Sequence, residues 1–382
     1  NLETCGVGGE CSSHPHPEPC ENRPIILRNS PILTNMKKVV LAPQGFKESL
    51  TGMEIATAMS IGVKRVWPDV ETVLIPVADG GDGTLQALVD SSDGEVRVAR
   101  VEDAIGRVIE AEWGALGNGT TAVIEVASAV GLARLTSEER DVRNSSTRGV
   151  GQLFIEALDA GFTDFIIGVG GSATNDGGSG MIQAMGGKLT DSNGEEIAPG
   201  GVALADLAHI DVSGLDPRMA DVNIVVACDV NNPLCGPRGA SAIFGPQKGA
   251  TSEDIQQLDA ALANYAEVIS KDLNTDVADI PGAGASGGLG AGLMGFFDAR
   301  LRLGADIVLE ALSLEKHLVD ADLVIVGEGQ FDRSTVFNKS PVAVALRAKI
   351  RGIPVIGIAG SLGAGFAEVH DHGIDAVFSL VS

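Results

Sequence analysis

From Met36 onward, short β-branched runs alternate with helix-length segments, and no other feature limits the fold as strongly. Val39–Ala42, Thr72–Val77, Val123–Val126, Phe165–Val169, Ile224–Ala227, Leu323–Val326 and Val355–Ala359 each predict a strand, apolar on both faces as a parallel sheet requires. Between them Met53–Val66, Gly149–Ala160, Ser252–Leu273 and Pro341–Lys349 carry helical spacing. Strands joined by crossover helices make an α/β/α architecture. A length of 382 residues exceeds what one core usually holds, so two domains are expected, one inserted in the other. The Gly-rich stretch Gly282–Gly292 is the expected point of return between them.

Packing has to rely on small aliphatic side chains, since 50 glycines stand against 11 Phe, 2 Trp and 1 Tyr. A net charge of −24 argues against nucleic acid and acidic membranes, both of which need a positive field. A small anion is still compatible, given local cations, backbone N–H groups or a metal ion. No apolar run is long enough to span a bilayer. Cys5, Cys11 and Cys20 crowd the first twenty residues, and Cys228 and Cys235 make no disulfide framework, so the body reads as cytoplasmic. Residues 1–35 have no periodicity and no signal-peptide pattern and are expected to be a disordered leader. Its Cys5, Cys11, His14, His16 and Cys20 match no zinc spacing.

The densest chemistry lies in Gly168-Val-Gly-Gly-Ser-Ala-Thr-Asn-Asp-Gly-Gly-Ser-Gly180, which leaves the strand ending at Val169. Glycines let backbone N–H groups close on an anion, and a helix starting near Gly177 would aim its positive end at the same point. Gly170, Gly171, Ser172, Thr174, Asn175 and Gly177 therefore predict a phosphate or carboxylate cradle, with Asp176 inside it. The structural alternative is a strand-to-helix connection capped by Asn and Asp. The stretch also fits a dinucleotide fingerprint, Gly168-x-Gly170-x-x-Ala173 with Glu195 or Glu196 for a ribose, so an NAD(P)-dependent oxidoreductase competes. Against that reading, Asp176 would set a carboxylate beside a pyrophosphate.

No Walker A sequence and no protein-kinase catalytic loop occur, so phosphoryl transfer would need another scaffold. Its parts are nonetheless present. Lys47, Arg148, Arg238, Lys248 and Lys339 lie in Gly-, Ser- or Pro-rich loops, and Asp79, Asp82, Asp176, Asp229, Glu328 and Asp332 supply carboxylates. Asp79 and Asp82, separated by two glycines, read as metal or substrate contacts, the structural alternative being that Asp82 or Thr84 caps the helix that follows. Asp229 stands just past a strand end, and Gly327-Glu328-Gly329 with Asp332 and Thr335 reads as another phosphate- or metal-facing turn. The scattered histidines suggest no histidine base.

Together these blocks resemble the bacterial-type glycerate kinase family. The resemblance runs from Lys38 to the end through Ala42-Pro43 with Phe46-Lys47, Pro76-Val-Ala-Asp-Gly-Gly-Asp-Gly-Thr84, Gly170–Gly178, Ala227-Cys-Asp-Val230 with Asn232–Pro237, Phe244–Gly249, Gly284–Gly292 and Gly327-Glu-Gly329. It implies a discontinuous Rossmann-like domain from residues 36–85 and 290–382, with an inserted α/β domain at 86–289 and the site in the cleft. The implied activity moves the γ-phosphoryl of ATP, with Mg²⁺, to a hydroxyl of D-glycerate, 2-phosphoglycerate being the favoured product. The implied roles are Asp229 or Asp176 as base, Lys47 and the Gly170–Gly178 turn on phosphate or glycerate, and Asp79, Asp82 and Glu328 on metal or substrate. Arg148, Lys248, Asp332 and Thr335 complete the expected substrate and phosphate contacts. Expected partners are these small molecules and a second copy of the chain. The sequence departs from the family pattern at Gln44-Gly45, where Asp-Ser is usual, and at Ser334-Thr335 and Asn338-Lys339, where Gln-Thr and Gly-Lys are usual. A catalytically weakened member binding glycerate or nucleotide is the reading those changes motivate. The chain also ends just after the strand expected at Ala376–Leu380, where relatives usually continue into further helix, so a shortened end with an uncovered sheet surface is expected.

Overall fold

The computed structural model describes residues 36–46, 49–78, 83–336 and 339–381. The leader, Lys47, Asp79 and Asp82 lie outside them. The body opens with β1 (Lys38–Pro43), α1 (Gly52–Val66), β2 (Glu71–Leu74) and α2 (Thr84–Ser91). There follow β3 (Glu95–Glu102), β4 (Val108–Ala115), β5 (Thr121–Glu125), α3 (Val126–Val130), α4 (Arg148–Asp159), β6 (Asp164–Gly168), α5 (Ser179–Ala184), β7 (Lys188–Thr190) and β8 (His209–Asp211). Next come β9 (Asn223–Ala227), α6 (Ala240–Phe244), α7 (Ser252–Leu273), α8 (Ala285–Phe297) and β10 (Arg300–Arg302). The last elements are α9 (Gly304–Ala311), α10 (Leu314–His317), β11 (Leu323–Phe331), α11 (Ser340–Ile350), β12 (Val355–Leu362) and β13 (Ala376–Ser379).

Local signals explain the helix ends. The Thr51 hydroxyl accepts the Glu54 N–H, and the Glu54 carboxylate accepts the Thr51 N–H at 2.8 Å, a reciprocal cap that starts α1. Lys64 and Arg65 close the same helix where the dipole favours cations. Thr251 and Asp254 start α7 in the same way.

One sheet has the order β13-β12-β11-β1-β2, all parallel, and so draws its strands from both ends of the chain. Its order reverses between β1 and β11, whose carboxyl ends meet where Pro43 stands opposite Gly327. Open α/β sheets bind their ligands at such a crevice. The second sheet has the order β10-β9-β6-β5-β4-β3, with β10, β9, β6 and β5 parallel and β4 and β3 antiparallel. A short antiparallel ribbon pairs β7 with β8.

Several expectations need correction. β2 ends at Leu74 and none of its residues is buried, because it is the sheet's edge; beyond it Val77 forms an isolated bridge with Gln44 and donates its N–H to the Pro43 carbonyl at 3.0 Å. The hairpin β3–β4 was not expected, and it makes the second sheet mixed. Gly282–Gly292 is not a return between sheets. Most of it is the start of α8, bent where Ser286, Gly287 and Gly288 take φ of 54°, 70° and 90°. β10 then keeps the chain in the second sheet until Arg302, so the sheets change after residue 302 and not at 290. The dinucleotide fingerprint also fails, because β6 leads through α5 to β7, which lies in the separate ribbon and forms no parallel neighbour for β6.

Each sheet has its own apolar core. Trp113 packs edge-on to Phe162, and Phe154 against Phe165, in the second. Leu85, Leu88 and Val89 of α2 join the core of the first sheet together with Val308 and Leu309 of α9 and Val123 of β5, so α2 and α9 are elements the two sheets share.

Candidate active site

The Gly168–Gly180 stretch is anchored mainly from below. Asp176 is fully buried; one carboxylate oxygen accepts the Thr147 N–H at 2.8 Å, the Thr147 hydroxyl at 2.9 Å and the Gly180 N–H at 3.3 Å, and the other accepts the Gly178 N–H at 3.2 Å. It therefore ties the start of α4 to the start of α5. Burial pushes its carboxyl above the ordinary range, and these donors pull it back down. Asn175 is also fully buried and donates to Ser241 at 3.0 Å. Lys248, 2% exposed, donates to the Ser172 hydroxyl at 3.0 Å and to the Thr174 carbonyl at 2.6 Å. Burial lowers its ammonium to about 7, and the Asp176 charge opposes that shift. A neutral amine has two hydrogens, and those two acceptors use both. Gly177 has φ 64°, and a Cβ there would lie 2.5 Å from the Tyr265 ring. Gly170 and Gly171 alone in the turn are exposed, and they form its solvent-facing tip.

That tip follows the carboxyl end of β6. The same edge of the second sheet carries Glu125 at the end of β5 and the exposed Asp229 just past β9. Asp229 accepts the Gly304 N–H at 3.0 Å where α9 begins. Glu125 accepts the Leu85 N–H at 2.9 Å, which brings the start of α2 onto this edge. Arg148 pairs with Glu102 at 3.2 Å at the end of β3.

The first sheet contributes a second group at its switch point. Glu328, 8% exposed, accepts the Thr335 hydroxyl at 3.1 Å and pairs with Lys339 at 2.5 Å. Asp332 accepts the Ser334 hydroxyl at 2.6 Å and N–H at 2.7 Å, which holds its carboxyl below the ordinary range. The departure at Ser334 from the family pattern is thus a local cap on Asp332. Beside this group, a cleft of about 490 Å³ opens between the ends of β1 and β2, the start of α1 and α2.

The structure therefore brings Gly170, Gly171 and Asp229 to one edge, and Glu328, Asp332 and Thr335 to another. Ser172, Thr174, Asn175, Asp176, Gly177 and Lys248 form the buried support of the turn. Sequence reasoning did not single out Thr147, which has no motif signal, or Glu125, a strand-end carboxylate that the logic used for Asp229 would have found. Among the described residues no three His, Cys, Asp or Glu side chains gather as a metal cage. No helix among them is long and apolar enough to cross a membrane.

A doubly wound sheet with its switch point occupied by Glu328, Lys339 and Thr335, joined to a second sheet with a glycine turn and a carboxylate on its carboxyl edge, defines an α/β enzyme. Residues 39–382 match the model of the glycerate kinase family. A protein named glycerate 2-kinase from Escherichia coli (strain K12) is 52% identical over 90% of this chain and 91% of its own. A glycerate kinase from Bacillus subtilis (strain 168) is 51% identical over 90% of each. The crystal structure of a protein named glycerate kinase 2 from Salmonella typhimurium LT2 superposes with a TM-score of 0.85 at 49% identity, covering 91% of both chains. The chain belongs to the glycerate kinase family, and it is an ATP-dependent phosphotransferase.

Proposed function

We propose that this chain moves the γ-phosphoryl of ATP to a hydroxyl of D-glycerate, the 2-hydroxyl in preference, in the cytoplasm, with Asp229 as the general base. The carrying observation is that Asp229 is an exposed carboxylate at the carboxyl end of the parallel strands of the second sheet, whereas Asp176 is fully buried with four donors on its oxygens. A base has to come within hydrogen-bond reach of the proton it takes. Support for the acceptor comes from the family and from the relative named glycerate 2-kinase.

In this reading the Asp229 carboxylate, oriented by the Gly304 N–H, takes the hydroxyl proton as the oxygen attacks phosphorus and ADP leaves. The tip at Gly170 and Gly171 offers backbone N–H groups to the substrate's charge, and Lys248 and Asp176 hold that tip in place from beneath. Lys339, steadied by the buried Glu328, places a cation at the other side of the crevice. The described residues offer single carboxylates and not a cage. That suits an ion arriving on nucleotide phosphates, since Mg²⁺ needs only one or two protein carboxylates. Asp79 and Asp82 are then the candidate ligands, and the ion would neutralise phosphate charge.

A coupled ADP-release assay with D-glycerate, ATP and Mg²⁺, the product isomer identified by phosphorus NMR, tests the proposal. Asp229→Asn should lower kcat by about 10²–10⁴-fold in a protein that unfolds at the wild-type temperature. A folded wild-type chain that binds both substrates without turnover would make it a weakened binding member instead.

A further inference from the structure

We infer that the cleft between β1, β2, α1 and α2 is the seat of the nucleoside half of ATP, with the triphosphate leaving it toward Lys339. The inference rests on the reading of ATP as phosphoryl donor and says where in the fold it sits. At about 490 Å³ the cleft has the size of small-molecule and cofactor sites. Its inner wall is apolar and buried, with Phe46 9%, Val77 2%, Ala78 2% and Ala87 7% exposed. That wall suits a flat aromatic base.

The polar lining suits the sugar of a nucleoside. The polar lining includes the carboxylates Glu54 and Asp90, and no Lys or Arg is among the described lining residues. Two hydrogen bonds from Thr51 hold the Glu54 carboxyl below its ordinary range, so it stays ionised at neutral pH. A three-carbon acid would leave most of the volume empty. A nucleoside carries no charge, and its ribose hydroxyls are donors that a carboxylate accepts strongly. Asp90 already accepts the Gln86 amide at 2.5 Å on the exposed face of α2.

The cleft is also placed correctly for the phosphates. Gln44 lines it and donates its backbone N–H to the Gly327 carbonyl at 2.8 Å. Glu328, the next residue on β11, holds Lys339. The strand end that walls the cleft and the strand whose Glu328 holds the cation are therefore neighbours, about 5 Å between strand axes. A nucleoside in the cleft would direct its phosphates across the switch point toward Lys339.

Ala87→Trp, which fills the inner wall, and Asp90→Ala, which changes only an exposed side chain, test this. ADP binding is measured by calorimetry without glycerate, and KM is measured for each substrate. Each variant should weaken ADP by about tenfold or more while KM for D-glycerate moves by less than about twofold. Asp90→Ala keeps the test valid if Ala87→Trp does not fold. Wild-type ADP affinity in a folded Asp90→Ala and Ala87→Trp pair, or a rise in KM for D-glycerate alone, would overturn the inference while leaving the kinase reading intact. Weakened ADP binding in a chain that never phosphorylates glycerate would sustain the nucleoside site and sink the proposed reaction.

Discussion

Lys248 and Asp176 are held by one turn, and burial works against the charge of both. Lys248 goes from an ordinary 10.5 to about 7 on folding. Between those values the unfolded chain keeps a proton that the folded chain has released, so this group makes stability rise with pH from about 7 to 10.5, and its cost is fully present below 7. Asp176 has the opposite slope: its folded value lies above 3.8, so its contribution falls as pH climbs from there through the raised value. Lys248→Met should flatten the rise between pH 7 and 10 in urea unfolding, and an unchanged slope would mean that another group carries it. Removing the carboxylate itself is costlier. Asp176→Ala leaves the Thr147, Gly178 and Gly180 donors without their acceptor and should cost about 3 kcal/mol or more, whereas Asp229→Asn should cost turnover and little stability. Thermal melts read beside kcat separate the two carboxylates; equal loss of stability in both variants would show that Asp229 is structural as well.

Glycine turns of similar composition do different work, and their neighbours decide which. Gly177→Ala puts a methyl 2.5 Å from Tyr265 at φ 64°, so overpacking and left-handed strain add to about 2–4 kcal/mol. Gly194→Ala at φ 80° meets nothing within 4 Å and should cost only about 1 kcal/mol of strain. Similar melting temperatures for the two variants would show that the Tyr265 contact relaxes freely. The same dependence on neighbours sets what the sequence could tell. β1, β6, β9 and β12 were legible as continuous apolar runs and α7 as a full helical period between caps. β3 and β4 were not, because a half-buried hairpin alternates its side chains and looks like polar surface. α8 read as a glycine connection because its bend is made by three left-handed residues, of which Gly287 lies close against the backbone of Thr174 and Asn175. At the site, the residue types of the 168–180 turn were legible, but which of Gly170, Asp176 and Asp229 faces solvent depends on contacts with α4 and α9 far away in sequence.

The whole molecule carries 51 acidic against 27 basic side chains, and many of the basic ones are already shared. Arg107 meets both Asp103 and Glu139, and Arg347 meets both Asp306 and Glu315. Each surface pair contributes about 0–1 kcal/mol and is weakened by salt. The excess of carboxylates acts the other way, as a self-repulsion that favours the expanded chain and is also weakened by salt. With a net charge of −24 the repulsion outweighs the pairs, because every cation that neutralises two acids still leaves one uncompensated. Screening shortens from about 30 Å in 0.01 M salt to about 8 Å at 0.15 M, so repulsion across the molecule is lost before contact pairs are. The melting temperature should therefore rise by a few degrees, about 1–2 kcal/mol, between 10 and 200 mM NaCl. NaCl is the right salt here, since Mg²⁺ would add binding to acidic sites and confuse screening with ligation. A fall over the same range would mean that the paired arginines, and not the surplus acid, govern the molecule's electrostatics.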